Sequence, residues 1–202
     1  MANLSDIVVS RVRTKLLITF LDQPQEIYYV RQLVRLNNEE INAVRRELGR
    51  MEEKGLVKKE PRGNRLYYQF RKDYPYYNEL VGLVAKNVGL GANVLANRNK
   101  LGRVRFAMLS GRFMRRLPRQ NNEVDLVIIG QVNMPQLAAL VREEENRLKI
   151  EINYTVMSIQ EFSFRKARRD PFILSILAGS RIMIVGDEQE MLLLKDDETK
   201  GN

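Results

Sequence analysis

The sequence predicts an α+β protein of two domains, and three observations carry that expectation. Residues 1–77 read as a series of helices closing on a β-hairpin. From Arg103 the rhythm changes to strands alternating with helices, the pattern of a small mixed α/β layer. Between them, residues 78–102 form a more apolar stretch that fits a linking helix region. A chain of 202 residues is long enough for two small cores. The expected divisions are therefore 1–77, 78–102 and 103–195, followed by a polar tail, 196–202, expected to lack fixed structure.

Composition narrows the chemistry. Hydrophobic residues make up 44% of the chain and charged residues 29%, ordinary values for a globular protein. There is no Cys and no His, which excludes disulfides, zinc fingers, Cys/His nucleophile pairs and His proton shuttles. A metal site would need oxygen ligands, which favour magnesium or manganese. The net charge of +9 and a pI near 9.8 suggest a polyanionic partner, nucleic acid first, against the alternative of a well-solvated surface. No apolar run is long enough to span a bilayer, and MANLSDIVVSRVRTK lacks the apolar core of a signal peptide. The expectation is a cytoplasmic protein with no membrane partner.

In the first domain, helical periodicity predicts a helix over Ser5–Leu21 with Ser5 or Asp6 as N-cap. Gln25–Val30 is a short β-like run, and Arg31–Leu36 a short helix interrupted by Asn37–Asn38. A longer helix is expected from Glu39 to Lys54, with Asn37 and Glu40 spaced as a capping box and Gly55 as the stop. Leu56–Glu60 and Arg65–Phe70 then form strands around a Pro61–Asn64 turn.

This order resembles the winged helix-turn-helix of ArsR/MarR-type regulators, most closely over ELGRMEEKGLVKKEPRGNRLYYQF. The resemblance covers about the first third of the chain and implies a partner in double-stranded DNA. The residues themselves agree with it. Ile41, Val44, Leu48 and Met51 share one face of the longer helix, suited to packing, and the opposite face carries Asn42, Ala43, Arg46, Arg50 and Glu53. Asn and Arg make bidentate contacts with adenine and guanine edges. Glu39, Asn42, Ala43 and Arg46, near the start of the helix, would reach furthest into a major groove, with Arg50 behind them. Arg62 and Arg65 flank the hairpin tip, where they suit a minor groove or phosphates. The alternatives are a solvated helix of paired charges, or a module that binds protein.

Tyr74, Tyr76 and Tyr77 read as packing aromatics, and Asn78–Val88 as an apolar helix that joins domains or pairs two subunits. Regulators of this kind bind two half-sites as dimers, so a homodimer is expected.

In the second domain the expected elements are a strand over Val104–Leu109, a strand over Glu123–Ile129 and an amphipathic helix over Pro135–Leu148. A strand over Lys149–Met157 and a helix over Ile159–Arg169 follow. The next helix is capped by Asp170 with Pro171 at its first position, and Arg181–Val185 is the last strand. A sheet of three or four strands is expected.

Residues 103 to 186 resemble the minimal nucleotidyltransferase domain of the polymerase β-like superfamily. The resemblance rests on Gly111, the pair in Glu123-Val124-Asp125 and the segment Lys149–Tyr154. Residues i and i+2 of a strand face the same way, so Glu123 and Asp125 would project together, and a neighbouring strand could add Glu151 or Asn153. Clustered carboxylates repel unless a cation lies between them. The resemblance thus implies magnesium with a nucleoside triphosphate, held by Glu123, Asp125 and Glu151, with Ser110, Gly111 and Arg112 at the phosphate turn.

This chain departs from the family pattern at that turn. Ser110-Gly111-Arg112 replaces Gly-Ser, so an arginine stands where the phosphate-binding serine belongs. Arg112, Arg115, Arg116 and Arg119 would either fork a phosphate or neutralise the carboxylates. Three readings follow: a retired site of arginine-paired carboxylates, a non-catalytic nucleotide or phosphate sensor, or an active transferase. The basic helix Gln160–Arg169 reads as an exposed face, with an auxiliary nucleic-acid contact as the alternative. The leading expectation is a prokaryotic DNA-binding transcriptional regulator with a catalytically degenerate second domain used for sensing or oligomerisation. Its competitors are a magnesium-dependent, antitoxin-like nucleotidyltransferase recruited by its winged helix, and a protein-interaction module.

Overall fold

The computed structural model describes residues 4–120 and 123–195, so the polar tail expected over 196–202 lies outside the described residues. The chain is mixed α/β with two separate sheets, and it divides into two compact units, Met1–Val88 and Gly89–Asn202. The division falls inside the expected linking region. Among the described residues no single helix is long and apolar enough to cross a membrane.

The first unit opens with a short turn of 3-10 helix, Leu4–Asp6, followed by α1 (Arg11–Asp22). The helix expected from Ser5 thus begins six residues later. Its N-cap is Ser10, whose hydroxyl accepts from the Arg13 N–H at 3.3 Å. The segment before it turns on its own hydrogen bonds, from the Ile7 and Val8 amides to the Leu4 carbonyl.

Next come β1 (Tyr28–Tyr29), α2 (Val30–Asn37), α3 (Ile41–Glu53), β2 (Val57–Arg62), β3 (Arg65–Phe70) and α4 (Tyr77–Ala85). The three strands form an antiparallel sheet in the order β1-β3-β2. The β-like run expected over Gln25–Val30 contributes only two residues to it, because Val30 already begins α2.

The expected capping box does not form. Asn37 is the buried last residue of α2, where its amide donates to the Leu33 carbonyl at 2.8 Å and accepts from the Thr19 hydroxyl at 2.9 Å. That side chain ties α2 to α1 instead of capping α3. Asn38 takes the left-handed conformation that ends α2, and Glu40 stands at the N-cap of α3 without a side-chain cap. At the other end Gly55, at φ +74°, turns the chain out of α3, and the Leu56 amide closes on the Met51 carbonyl at 2.8 Å. The hairpin strands run on to Arg62 and Arg65, leaving a tight Gly63–Asn64 tip. Pro61 therefore lies within β2, tolerated because β2 is an edge strand.

Leu16, Phe20, Leu33, Val44, Leu48, Met51 and Phe70 are fully or almost fully buried, and the Phe20 and Tyr28 rings meet edge-on at 5.6 Å. One charged residue shares this interior. Glu47 of α3 is 4% exposed and accepts from Arg13 Nε at 2.5 Å and from the Ser10 hydroxyl at 3.3 Å. The residue that caps α1 is thus also held by α3.

The second unit begins with α5 (Gly89–Ala96) and α6 (Arg98–Leu101). The helix expected over Asn78–Val88 stops at Ala85 with Lys86 as its C-cap, and Gly89, at φ +67°, marks the break before α5. There follow β4 (Gly102–Ser110), α7 (Gly111–Met114), β5 (Leu126–Val132), α8 (Met134–Leu148), β6 (Tyr154–Met157), α9 (Ile159–Ala167), α10 (Pro171–Ala178), β7 (Arg181–Val185) and α11 (Glu188–Leu193). The sheet has four strands in the order β6-β5-β4-β7. β5 and β6 are parallel, joined by α8 as crossover, and the other pairs are antiparallel.

Two strands are shorter than expected at their N-terminal ends. β5 begins at Leu126, so Glu123 and Asp125 lie on its approach. β6 begins at Tyr154 instead of Lys149, because Lys149 takes a left-handed turn that ends α8 and the Ile152 amide donates to the Glu145 side chain at 2.9 Å. Asp170 and Pro171 start α10 as expected, with the Asp170 carboxylate accepting from the Phe172 and Ile173 amides. The core joins Phe106, Met108, Val127, Ile129, Phe162 and Ile173, with Met191 of α11 packed beside them.

The Glu47 pair gives a direct test of the first unit. Glu47→Ala leaves Arg13 and Ser10 without their shared acceptor, and a loss of about 2 kcal/mol is expected from chemical denaturation. Glu47→Gln, which keeps an acceptor oxygen, should lose less.

Candidate functional site

Two clusters of candidate residues take shape, one in each unit. In the first, Asn42, Arg46, Arg50 and Glu53 are exposed along α3, with Ala43 half-buried at the margin, opposite the packed Val44, Leu48 and Met51. Arg50 reaches back to within 3.7 Å of Glu47 but remains largely exposed. Glu39 does not belong to this face. It precedes α3 and is held by Lys15 Nζ at 2.7 Å and Arg11 Nε at 3.1 Å. The Lys15 hydrogen bond, with the Arg11 charge, holds its carboxyl below the usual range. Glu39 therefore fastens the entry of α3 to α1.

Arg62 and Arg65 flank the hairpin tip and both are ordered by neighbours. Arg62 forks the Glu60 carboxylate at 3.1 and 3.0 Å and lies over the Tyr67 ring at 5.4 Å. Arg65 lies over the Tyr29 ring at 4.9 Å. A cavity of about 770 Å³ opens beside Arg65, and its lining includes Arg31 and Arg35 of α2 and Arg45 of α3. Sequence reasoning missed these three. Arg31 and Arg35 are spaced i, i+4 on a helix, which was the available signal.

In the second unit, Ser110 and Gly111 sit where β4 turns into α7. The Glu123 side chain stands beside that turn, and Asp125 meets it through its backbone carbonyl, which accepts from the Ser110 N–H at 2.9 Å. The Ser110 hydroxyl donates to Glu123 Oε1 at 2.9 Å and accepts from the Arg112 N–H at 3.2 Å, so it caps α7. The Gly111 N–H donates to the Ser180 carbonyl at 2.8 Å, and a side chain at Gly111 would run into the Ser180 hydroxyl. Both amides of the turn are thus already committed within the fold. The Gln120 N–H donates to Glu123 Oε2 at 3.0 Å. Arg112 Nε lies 3.2 Å from that same oxygen, without a hydrogen-bonding angle.

Asp125 is 4% exposed. It accepts from Arg119 Nη2 at 2.5 Å and from the Asn153 N–H at 2.8 Å. Burial pushes its carboxyl above the usual range, opposed by the Asn153 amide and Arg119, while the Glu123 charge adds to the rise. The same Arg119 nitrogen bonds the Glu151 carbonyl at 2.5 Å. Glu151 thus meets this cluster through its backbone carbonyl, and Asn153 through its backbone amide and through its side chain, which donates to the Glu123 carbonyl at 3.4 Å. Among the described residues no three carboxylates gather as a metal site. Arg115 donates to the Gly111 carbonyl at 3.0 Å and Arg116 to the Phe113 carbonyl at 3.3 Å.

Ser180 was not foreseen, since it lies 65 residues from its partner Arg115, whose Nη2 donates to its hydroxyl at 2.7 Å. A cavity of about 1130 Å³ opens over this region. Its lining mixes the polar Ser110, Arg112, Arg115 and Glu123 with the apolar Val127, Phe172 and Ile176. Chemically it offers a mixed pocket beside carboxylates whose charge is already answered by arginine.

The Asp125 environment makes a pH-dependent test. A folded-state pKa raised by burial means that Asp125 disfavours folding once ionised, and that this cost disappears as pH falls through the folded pKa. Arg119→Ala removes the main cation facing the carboxylate. A loss of about 2 kcal/mol is expected near pH 7, shrinking toward about pH 4 as Asp125 protonates, read by denaturant titration at both values. An equal loss at both would contradict the pairing. Comparison of the chain with protein-family models, curated proteins and solved structures gives no match.

Proposed function

We propose that the chain is a DNA-binding transcriptional regulator, with a winged helix-turn-helix in its first unit and a degenerate nucleotidyltransferase-like domain in its second. The observation that carries this reading is the exposed face of α3, with Asn42, Arg46 and Arg50, followed directly by a hairpin tipped with Arg62 and Arg65. These residues offer guanidinium and amide groups to base edges and phosphates of double-stranded DNA. The net charge of +9 supports an anionic partner. In this reading the protein is a cytoplasmic prokaryotic regulator that acts as a homodimer on paired half-sites.

The β4–turn–β5–α8–β6 order supports a nucleotidyltransferase-like second domain, and the arginine pairing supports the loss of its chemistry. An active magnesium-dependent transferase would need Arg119 to leave Asp125 and Arg112 to leave Glu123 before a nucleoside triphosphate and metal could enter. The adjacent cavity of about 1130 Å³ offers room for a small ligand, which supports a sensing role once the chemistry is lost.

Two measurements test these halves separately. Arg46→Ala with Arg50→Ala should weaken duplex binding by about tenfold in fluorescence anisotropy at about 50 mM salt. The slope of affinity against salt should also become shallower by about one for each phosphate that is no longer neutralised. Unchanged binding across salt would reject this face. Glu123→Ala and Asp125→Ala separate the degenerate reading from the active one, because an active transferase would lose magnesium-dependent nucleotide transfer in variants whose fold is verified by circular dichroism, whereas a degenerate domain has none to lose.

A further inference from the structure

The sheet of the first unit has an outer face of which the proposed duplex binding uses only the tip, Arg62 and Arg65. Alternation along the strands turns Tyr28, Val57, Tyr68 and Phe70 into the core. Tyr29, Tyr67, Arg62, Arg65 and Lys58 accordingly share the opposite face, in a register that pairs Tyr29 with Tyr67 and Arg62 with Arg65. The two tyrosine rings are 5.8 Å apart at 61°, neither is buried, and each has an arginine over it. Arg35 donates to the Tyr29 hydroxyl at 2.8 Å from the side of α2. Arg62, Arg65 and Arg35 thus touch the two aromatic rings, Lys58 lies further along the same face, and the Glu60 carboxylate, forked by Arg62, is their acidic neighbour.

A cross-strand aromatic pair stabilises a hairpin, but that task does not require cations on both sides. Half-buried rings that a flexible guanidinium covers, with further cations close by, suit unpaired nucleotides. Bases stack on the rings because every base has a π face, and the guanidinium and ammonium groups track the phosphates. A duplex keeps its base faces covered, so it cannot use such a surface except where the strands part.

We propose that the outer face of the β1–β3–β2 sheet is a stacking platform for single-stranded DNA adjoining the bound duplex, with bases on Tyr29 and Tyr67 and phosphates on Arg62, Arg65 and Lys58. This inference rests on the reading that the first unit engages DNA, and it adds a substrate form which α3 alone does not imply.

The test uses the full chain and two labelled probes, a blunt duplex and the same duplex with a single-stranded extension of about six nucleotides. Tyr67 is the residue to change, because Tyr29 also stands at the start of α2. The wild type should bind the extended probe about tenfold more tightly than the blunt one. Tyr67→Leu should lose that gain while binding the blunt duplex as the wild type does, and Tyr67→Phe should keep it. The chain has no Trp, so stacking should also quench tyrosine emission on binding the extended probe, an effect Tyr67→Leu should diminish. An extension that adds nothing to wild-type affinity overturns the proposal, as does a Tyr67→Leu protein of unchanged thermal stability that retains the gain. If wild type binds the extension but not the blunt duplex, the platform stands and the duplex-binding reading fails. The reverse result leaves duplex binding intact and removes the platform.

Discussion

The Asp125 carboxylate is the fixed point of the second unit. An ionised carboxylate this deeply buried persists only if its partners replace the water it has lost. Arg119 and the Asn153 amide do so, and each brings a different part of the chain with it. Arg119 closes the segment after α7 onto the approach to β6, and Asn153 fixes where β6 starts beside β5. Glu123 is held in parallel by Ser110 and the Gln120 amide. The candidate site is therefore a network in which the groups suited to bind a metal or a phosphate are instead bound to one another. Any anionic ligand entering the neighbouring cavity must compete with Glu123 for Arg112, which couples occupancy to the turn that starts α7.

The first unit uses the same device with a different outcome. Glu47 and Asn37 are buried polar residues of α3 and α2, and each accepts a hydrogen bond from α1, Glu47 from Arg13 and Asn37 from Thr19. Glu39 adds a third tie to α1 through Lys15 and Arg11. With the packed face of α3 anchored by apolar contacts and these polar ties, the exposed face carrying Asn42, Arg46 and Arg50 is presented on a rigid element.

Much of the element order was legible in the sequence, because it depends on local chemistry. Asp170-Pro171 starts a helix on its own terms, Gly55 ends one, and the β7 strand occupies the expected Arg181–Val185. What the sequence did not reveal depended on partners distant in the chain. Asn37 looked like a cap for α3 because its spacing to Glu40 allowed it, but the Thr19 hydroxyl on α1 claimed the side chain. The strand expected from Lys149 was cut short by the left-handed turn ending α8 and by Glu145 taking the Ile152 amide. At the candidate site, the dense arginines and the carboxylate pair were visible, but not which arginine met which acid. That assignment is set by the sheet register, which also brings Ser180 to Gly111.

One feature of the first sheet bears on the behaviour of the protein in solution. β2 is an edge strand, and its outward backbone groups would offer a template for another chain. The sequence places Lys58, Lys59 and Arg62 along that edge and Pro61 within it, which removes one donor and surrounds the remainder with positive charge. Two copies approaching edge to edge would meet like charge and an interrupted ladder. The hairpin can therefore extend into solvent as a basic arm, its own charge guarding the free edge against strand pairing with a second copy.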